Sequence, residues 1–300
     1  MSQLSTPVEI SLKNILVATD FSPAAYAALT RVMSIARHFN SVVHLVHVIH
    51  PPEIDIAPAA NSEIGRQVHT DARRQLELFE TAAGTVPHRT WLREGKVSEA
   101  VEDLARSQHI DLVVVGSSGK SELKKFFLGS VAEEIVRSAT CPVLAVGPHV
   151  SSTGGGERLT QLLYVTHFWE ESHYGLQFAI HLAIQYKARL LLLHVIEQEK
   201  PTQSDDAWLR EYRRILRNLL PEDAGALVVE PVLRVEVTKN STARILQVAD
   251  EIAADLVVMD IRPEEPWATH LRDKVSEIIS WANCPILTVR TKPEHNGEEK

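Results

Sequence analysis

The residues best suited to chemistry in this chain are glycines. Gly116-Ser117-Ser118-Gly119-Lys120-Ser121 is followed by Leu128-Gly129-Ser130, giving a G-x2-G-x9-G-S spacing. Glycines lack the Cβ that keeps backbone N–H groups away from phosphate oxygens. A helix opening at Gly129-Ser130 adds its unpaired N–H groups and its dipole. Ser130 offers a hydroxyl donor and Lys120 a positive charge. The same residues also have a plainer use. Ser130-x-x-Glu133 fits a capping box, and a glycine after a strand is ordinary turn chemistry. Two lookalikes drop out: a P-loop ending in Gly119-Lys120-Ser121 needs glycine where Val114 stands, and no G-x-G-x-x-G fingerprint occurs.

Such a loop works only where strands and helices hold it. Apolar, β-branched runs predict strands over 15–18, 42–49, 85–92, 111–115 and 142–146. Between them, helical spacing predicts helices that start at Ser22-Pro23 and cover 62–83, 97–108 and 130–139, with an irregular loop over 51–61. The first helix carries Ala27, Ala28, Val32, Ile35, Ala36 and Phe39 on one face. Alternating strands and helices imply a parallel sheet covered on both faces. In such a sheet ligands bind beyond the carboxyl ends of the strands, where strand order reverses. Gly116 and Gly119 fall at that edge.

The pattern then recurs. Asn14-Ile15-Leu16-Val17-Ala18-Thr19-Asp20-Phe21 returns as Gln161-Leu162-Leu163-Tyr164-Val165-Thr166-His167-Phe168, and His47-Val48-Ile49 as His194-Val195-Ile196. Asp111-Leu112-Val113-Val114 returns as Asp255-Leu256-Val257-Val258, and Cys141-Pro142-Val143-Leu144 as Cys284-Pro285-Ile286-Leu287. Four matches in order make this a tandem duplication. Copy two predicts strands over 162–166, 189–196, 227–237, 256–260 and 286–290, with helices over 171–186, 206–220, 241–253 and 275–282. The expected division is a first domain over 1–148, a Gly/Ser-containing linker over 149–159, a second domain over 160–292 and a disordered tail over 293–300.

Composition narrows the function. The 300 residues carry 31 Lys+Arg against 39 Asp+Glu, a net charge of -8. That balance argues against a sequence-independent grip on nucleic acid, and no basic amphipathic helix suits a membrane surface. No bilayer-length apolar run and no signal-peptide pattern is visible, and two cysteines fit a reducing compartment. A cytoplasmic location is expected.

Taken together, these residues resemble the universal stress protein family, with two such domains in one chain. The resemblance rests on Ile15 to Ser22, His47-Val48-Ile49, Asp111 to Gly119, and Gly129-Ser130 leading to Cys141-Pro142-Val143-Leu144. It implies two Rossmann-like α/β domains, each a five-stranded parallel sheet in the order 3-2-1-4-5 flanked by helices. The G-x2-G-x9-G-S spacing marks the family's ATP-binding branch. By that resemblance Gly116, Gly119, Gly129 and Ser130 hold the triphosphate, with Lys120 beside them, and Val48 lines the adenine side. Thr19 and Asp20 meet the nucleoside, and Asp20 is the candidate to reach Mg2+ on the phosphates; capping the Ser22-Pro23 turn is its competing role. A regulatory, stress-response protein that binds ATP is implied. The rivals are a slow ATPase or phosphoryl transferase on the same cradle, and a nucleotide-independent interaction module. Family members pair through their last strands, so an internal pseudo-dimer is expected, with further homodimers and an unidentified protein partner open.

Copy two departs from the pattern. Asp260 stands for Gly116, Arg272 for Gly129 and Asp273 for Ser130; Pro263 falls near Gly119, and His167 replaces Asp20. Asp273 is expected to cap a helix as Ser does, and with Asp260 to set negative charge where a phosphate would sit. One ATP site per chain is therefore expected. Other constellations read as structural. His44, His47 and His50 alternate faces of one strand. The run Arg210 to Arg217 reads as a solvated helix face, Trp281 as core, and Cys141 and Cys284 as small apolar residues. Trp267 lies in the rewritten loop, on a partner surface or in the core.

Overall fold

The computed structural model describes residues 10–49, 63–117, 129–151, 158–166, 174–198, 206–220, 227, 229–261 and 269–290, without the side chains of 206–207 and 269–273. Two compact units divide the chain, one over Ser11–Glu157 and one over Arg158–Lys300 together with Met1–Ile10.

In the first unit the elements run β1 (Asn14–Ala18), α1 (Pro23–Phe39), β2 (Val42–Ile49), α2 (Glu63–Thr81), β3 (His88–Glu94), α3 (Val97–Ser107), β4 (Leu112–Gly116), α4 (Ser130–Ser138) and β5 (Val143–Val146). The strand order is β3-β2-β1-β4-β5, with every described pairing parallel. Right-handed crossovers then put α1 and α2 on one face and α3 and α4 on the other. Accordingly α1 packs on β1, β4 and β5, α2 on β2 and β3, and α4 on α3 and β5. Order reverses between β1 and β4, so their carboxyl ends frame the crevice.

The second unit repeats this: β6 (Gln161–Thr166), α5 (Tyr174–Tyr186), β7 (Arg189–Glu197), α6 (Asp206–Asn218), β8 (Val232–Thr238), α7 (Ser241–Glu251), β9 (Leu256–Ile261), α8 (Thr269–Trp281) and β10 (Ile286–Arg290). Its order is β8-β7-β6-β9-β10, again with parallel pairings.

The repeated sequence words have mechanical meanings. Asp111 Oδ2 accepts from Lys13 N at 2.7 Å and Asn14 N at 2.9 Å, fixing the start of β1 beside β4. Asp255 does the same for β6, accepting from Thr160 N at 2.7 Å and Gln161 N at 2.9 Å. Helix ends match too. Asn40 (φ 52) and Lys187 (φ 55), then His109 (φ 49) and Ala253 (φ 50), take the left-handed conformation after α1, α5, α3 and α7. Such stops let each strand start within a few residues of the preceding helix.

Some boundaries move for local reasons. β3 begins at His88, not near 85, because residues 82–84 close α2 in a turn with Gly84 at φ 61, and Pro87 has no N–H for the ladder. Pro231 likewise delays β8 to Val232, against an expected start at 227. Trp281, expected in the core, ends α8 with 44% of its surface exposed. The charged residues of 210–217 are exposed on α6, where Arg214 pairs with Glu211. Cys284 is buried, neither cysteine is in a disulfide, and burial pushes the Cys141 thiol up to about 12, with Glu102 adding to it. Among the described residues no helix is long and apolar enough to cross a membrane.

Candidate nucleotide-binding site

The crevice of the first unit is built from three backbone segments: the exit of β1, the exit of β4 and the entrance of α4. At the β1 exit the chain turns through Thr19, Asp20, Phe21 and Ser22. Thr19 N donates to Val46 O at 2.9 Å, its Oγ1 accepts from Phe21 N at 2.9 Å, and Asp20 Oδ1 accepts from Ser22 N at 3.0 Å. Ser22 then caps α1 by accepting from Ala25 N at 3.2 Å. Asp20 is thus the local cap foreseen as its competing role, and it remains exposed.

Phe21, at φ 61, takes a conformation unusual for a bulky residue. Its ring lies 4.3 Å from the His47 ring and meets Phe79 edge-on at 6.1 Å. His47 Nδ1 bonds the Thr19 carbonyl at 2.8 Å, tying β2 to the turn. His47 is therefore structural, and so is His44, which is buried against Asn14 Oδ1 and the Trp91 indole. Burial, with Arg89 adding to it, lowers the His44 pKa. His50 lies outside the described residues. Among those described, no group of three His, Cys, Asp or Glu is placed to hold a metal. Neither Phe21 nor its clasp with His47 was foreseen; the signal available was a bulky residue in a turn beside a strand histidine.

At the β4 exit, Gly116 is required by packing. A Cβ on it would lie 2.5 Å from the backbone of Ala24 and 2.6 Å from Ala25 N. The missing side chain admits the first turn of α1, a different reason from the phosphate approach expected of it. Val48 is buried at the end of β2. Gly119 and Lys120 lie outside the described residues. At α4 the cap is Gly129 rather than Ser130, with no side-chain cap bond among the described residues. The expected capping box is therefore not formed. Ser130 is the first helical residue and is exposed. Gly129 thus leads into a nine-residue helix whose first N–H groups take no bond from the cap residue's side chain.

The second unit carries a carboxyl at the corresponding strand end. Asp260 turns into the interior, 8% exposed, where Oδ1 accepts from Gly175 N at 2.7 Å and Oδ2 from Tyr164 Oη at 2.5 Å. Burial raises the Asp260 carboxyl to about 6, opposed by these two bonds. The Tyr164 phenol is pushed well above its ordinary range by burial and by the carboxyl beside it. The charge expected at the mouth from Asp260 is thus sunk into the core. Asp273 was expected at a cap and is instead the fifth residue of α8, which starts at Thr269. His194 keeps the structural role of its counterpart, Nδ1 bonding the Thr166 carbonyl at 3.0 Å. His167, Pro263 and Trp267 lie outside the described residues.

Comparison with known proteins agrees with this architecture. The sequence model of the Universal stress protein family matches residues 11–147 and 160–290. A universal stress protein of Methanocaldococcus jannaschii is 30% identical over 139 residues, spanning 45% of this chain and 81% of its own length. Universal stress protein A homolog 1 of Coxiella burnetii is 37% identical over 140 residues, 45% of this chain and 95% of that protein. Over the whole chain, the crystal structure of a universal stress protein from Archaeoglobus fulgidus superposes with a TM-score of 0.69 at 18% identity, covering 92% of this chain and 98% of that one. That likeness establishes the fold. With the family matched once in each unit, the chain belongs to the universal stress protein family and carries two of its domains in tandem.

Proposed function

We propose that the first unit binds ATP with Mg2+ and that the second does not, so that one occupied site per chain biases contacts with a protein partner. The observation that carries this reading is the entrance of α4. Gly129 caps it without a side-chain bond and Ser130 stands exposed, so the helix's own N–H groups are offered to an anion. Gly119 and Lys120 complete the phosphate side in this reading, Gly116 seats the loop against α1, Val48 borders the adenine and Thr19 the nucleoside. Asp20 is the one carboxylate in the set; with one oxygen bonded to Ser22 N, it suits a single contact to a Mg2+ carried on the phosphates. In the second unit Asp260 occupies the strand end and α8 begins four residues ahead of the position matching Ser130, which supports the asymmetry.

Calorimetric titration of Mg-ATP into nucleotide-free protein tests this, with Ser130→Asp as control. One ATP per chain, lost in the control, is expected. Two per chain would overturn the asymmetry, and none would leave the glycine loop as a turn and a cap.

A further inference from the structure

Three side chains are strung along one face of the first unit's sheet. Asn14, His44 and Trp91 belong to β1, β2 and β3, and the parallel registers put them on the same side. His44 is 1% exposed. Trp91 Nε1 donates to His44 Nδ1 at 3.3 Å, and an indole nitrogen can only donate. Nδ1 is therefore the acceptor, and the Nε2 proton donates to Asn14 Oδ1 at 3.3 Å. The two rings stack, 6.2 Å apart and 5° from parallel. A second proton on this imidazole would set N–H against N–H. Its surroundings add no anion. Arg89 lies opposite His44 in the ladder, and Arg93 sits 5.0 Å over the Trp91 ring. Glu94 is on the other face of β3, paired with His69. On β2 the same face carries Val42, Val46 and Val48. From β1 and its surroundings, Asp111 is taken up by the Lys13 and Asn14 N–H groups. Over this face α3 buries Ser98, Val101, Leu104 and Ala105; Glu99, Asp103 and Arg106 are exposed, and Glu102 accepts from the Thr140 hydroxyl. In the second unit's ladder Leu191 stands for His44 and Arg234 for Trp91, and Arg234 pairs with Glu251 of α7.

We propose that Asn14, His44 and Trp91 form an acid-sensitive latch on β3: a proton arriving on His44 Nδ1 displaces the Trp91 N–H, and β3 comes away from β2 while β1 and β4 stay paired. Burial, with Arg89 adding to it, lowers the His44 pKa from 6.5, so opening the strand takes up a proton. The closed strand is favoured fully above about pH 6.5 and loses ground as pH falls below it. Amide hydrogen exchange of the full chain at about pH 7 and about pH 5, corrected for the intrinsic rate, tests this. The β3 amides should lose about tenfold or more in protection while those of β8 do not, and the Trp91 indole N–H resonance should move with the same midpoint. His44→Leu, which copies the second unit, should abolish the response of β3 to acid. Trp91→Phe keeps the imidazole but drops its donor, and should lower β3 protection at pH 7 and weaken the response to acid. Unchanged protection of β3, or equal losses in β3 and β8, would overturn the latch, the second being general acid unfolding. A response that survives undiminished in either variant would overturn it as well, since another group would then be its source.

Discussion

The two units settle one problem of space in opposite ways. Where the fourth strand ends, the first unit has Gly116 and lets the backbone of α1 come within what would be 2.5 Å of a Cβ. The second unit has Asp260 there and places its glycine on the helix. A Cβ at Gly175 would lie 2.4 Å from Asp260 Oδ1. Tyr164, matching Val17 of the first unit, supplies the hydroxyl that Asp260 needs. The strand end meets the helix backbone at Ala24 in the first unit and at Gly175 in the second, with the carboxyl side chain lying between strand and helix in the second alone. Replacement of the strand-end glycine in copy two thus goes with two donors to the buried carboxyl, the Tyr164 hydroxyl and the Gly175 N–H.

The comparison can be broken most forcefully by moving one member alone. Gly116→Asp puts the second unit's residue into the first without Tyr or Gly to receive it. Overpacking against backbone together with an unpaired buried carboxylate should cost about 3 kcal/mol or more, read from urea unfolding. A loss below about 1 kcal/mol would mean that α1 can give way and that the contact is not restrictive.

Next in size is a pH effect confined to the second unit. Burial raises Asp260 from 3.8 to about 6, so the folded state holds a proton that the unfolded state has released between those values. Its contribution is full below about 4 and lost as pH rises through about 6, for a total of roughly 3 kcal/mol by the value of a pKa unit. Stability measured from pH 4 to 7 should fall less steeply in Asp260→Asn than in the parent. Parallel curves would show that the carboxyl is not the source.

The smallest effect sharpens the contrast at the fourth helices. Val131 is exposed in α4, whereas Lys274, at the matching place in α8, bonds both Glu197 and Ser241 Oγ. The Lys274 bond holds the Glu197 carboxyl below its usual range, with Ser241 adding to it. Both charged ends are partly exposed, so Lys274→Met should cost about 0.5 kcal/mol and less at high salt. A cost several times larger would show that this contact organises the second unit's edge.

Periodicity and repeats made the architecture readable because strand alternation, caps and chain stops are local. The Asp111 and Asp255 words, the Ser22 cap and the β4 run all landed where their chemistry placed them. The errors came from contacts distant in sequence. The packing of Gly116 against Ala24, some ninety residues earlier, has no local signal in the sequence. Asp260 reads as a charge at a mouth until Tyr164 and Gly175 are found around it. Asp273 misled because a helix entrance can slide by a turn without changing the apolar face that defines the helix.

The Gly175–Asp260 contact also constrains substitution. A Cβ at 175 would press on the far end of the Asp260 side chain, which would have to shift away from the position where it accepts from the residue 175 N–H. Once Tyr164 and Asp260 were bonded in the interior, returning 260 to glycine alone would strand a buried phenol beside a void. A return to glycine at 260 therefore needs residue 164 to change with it.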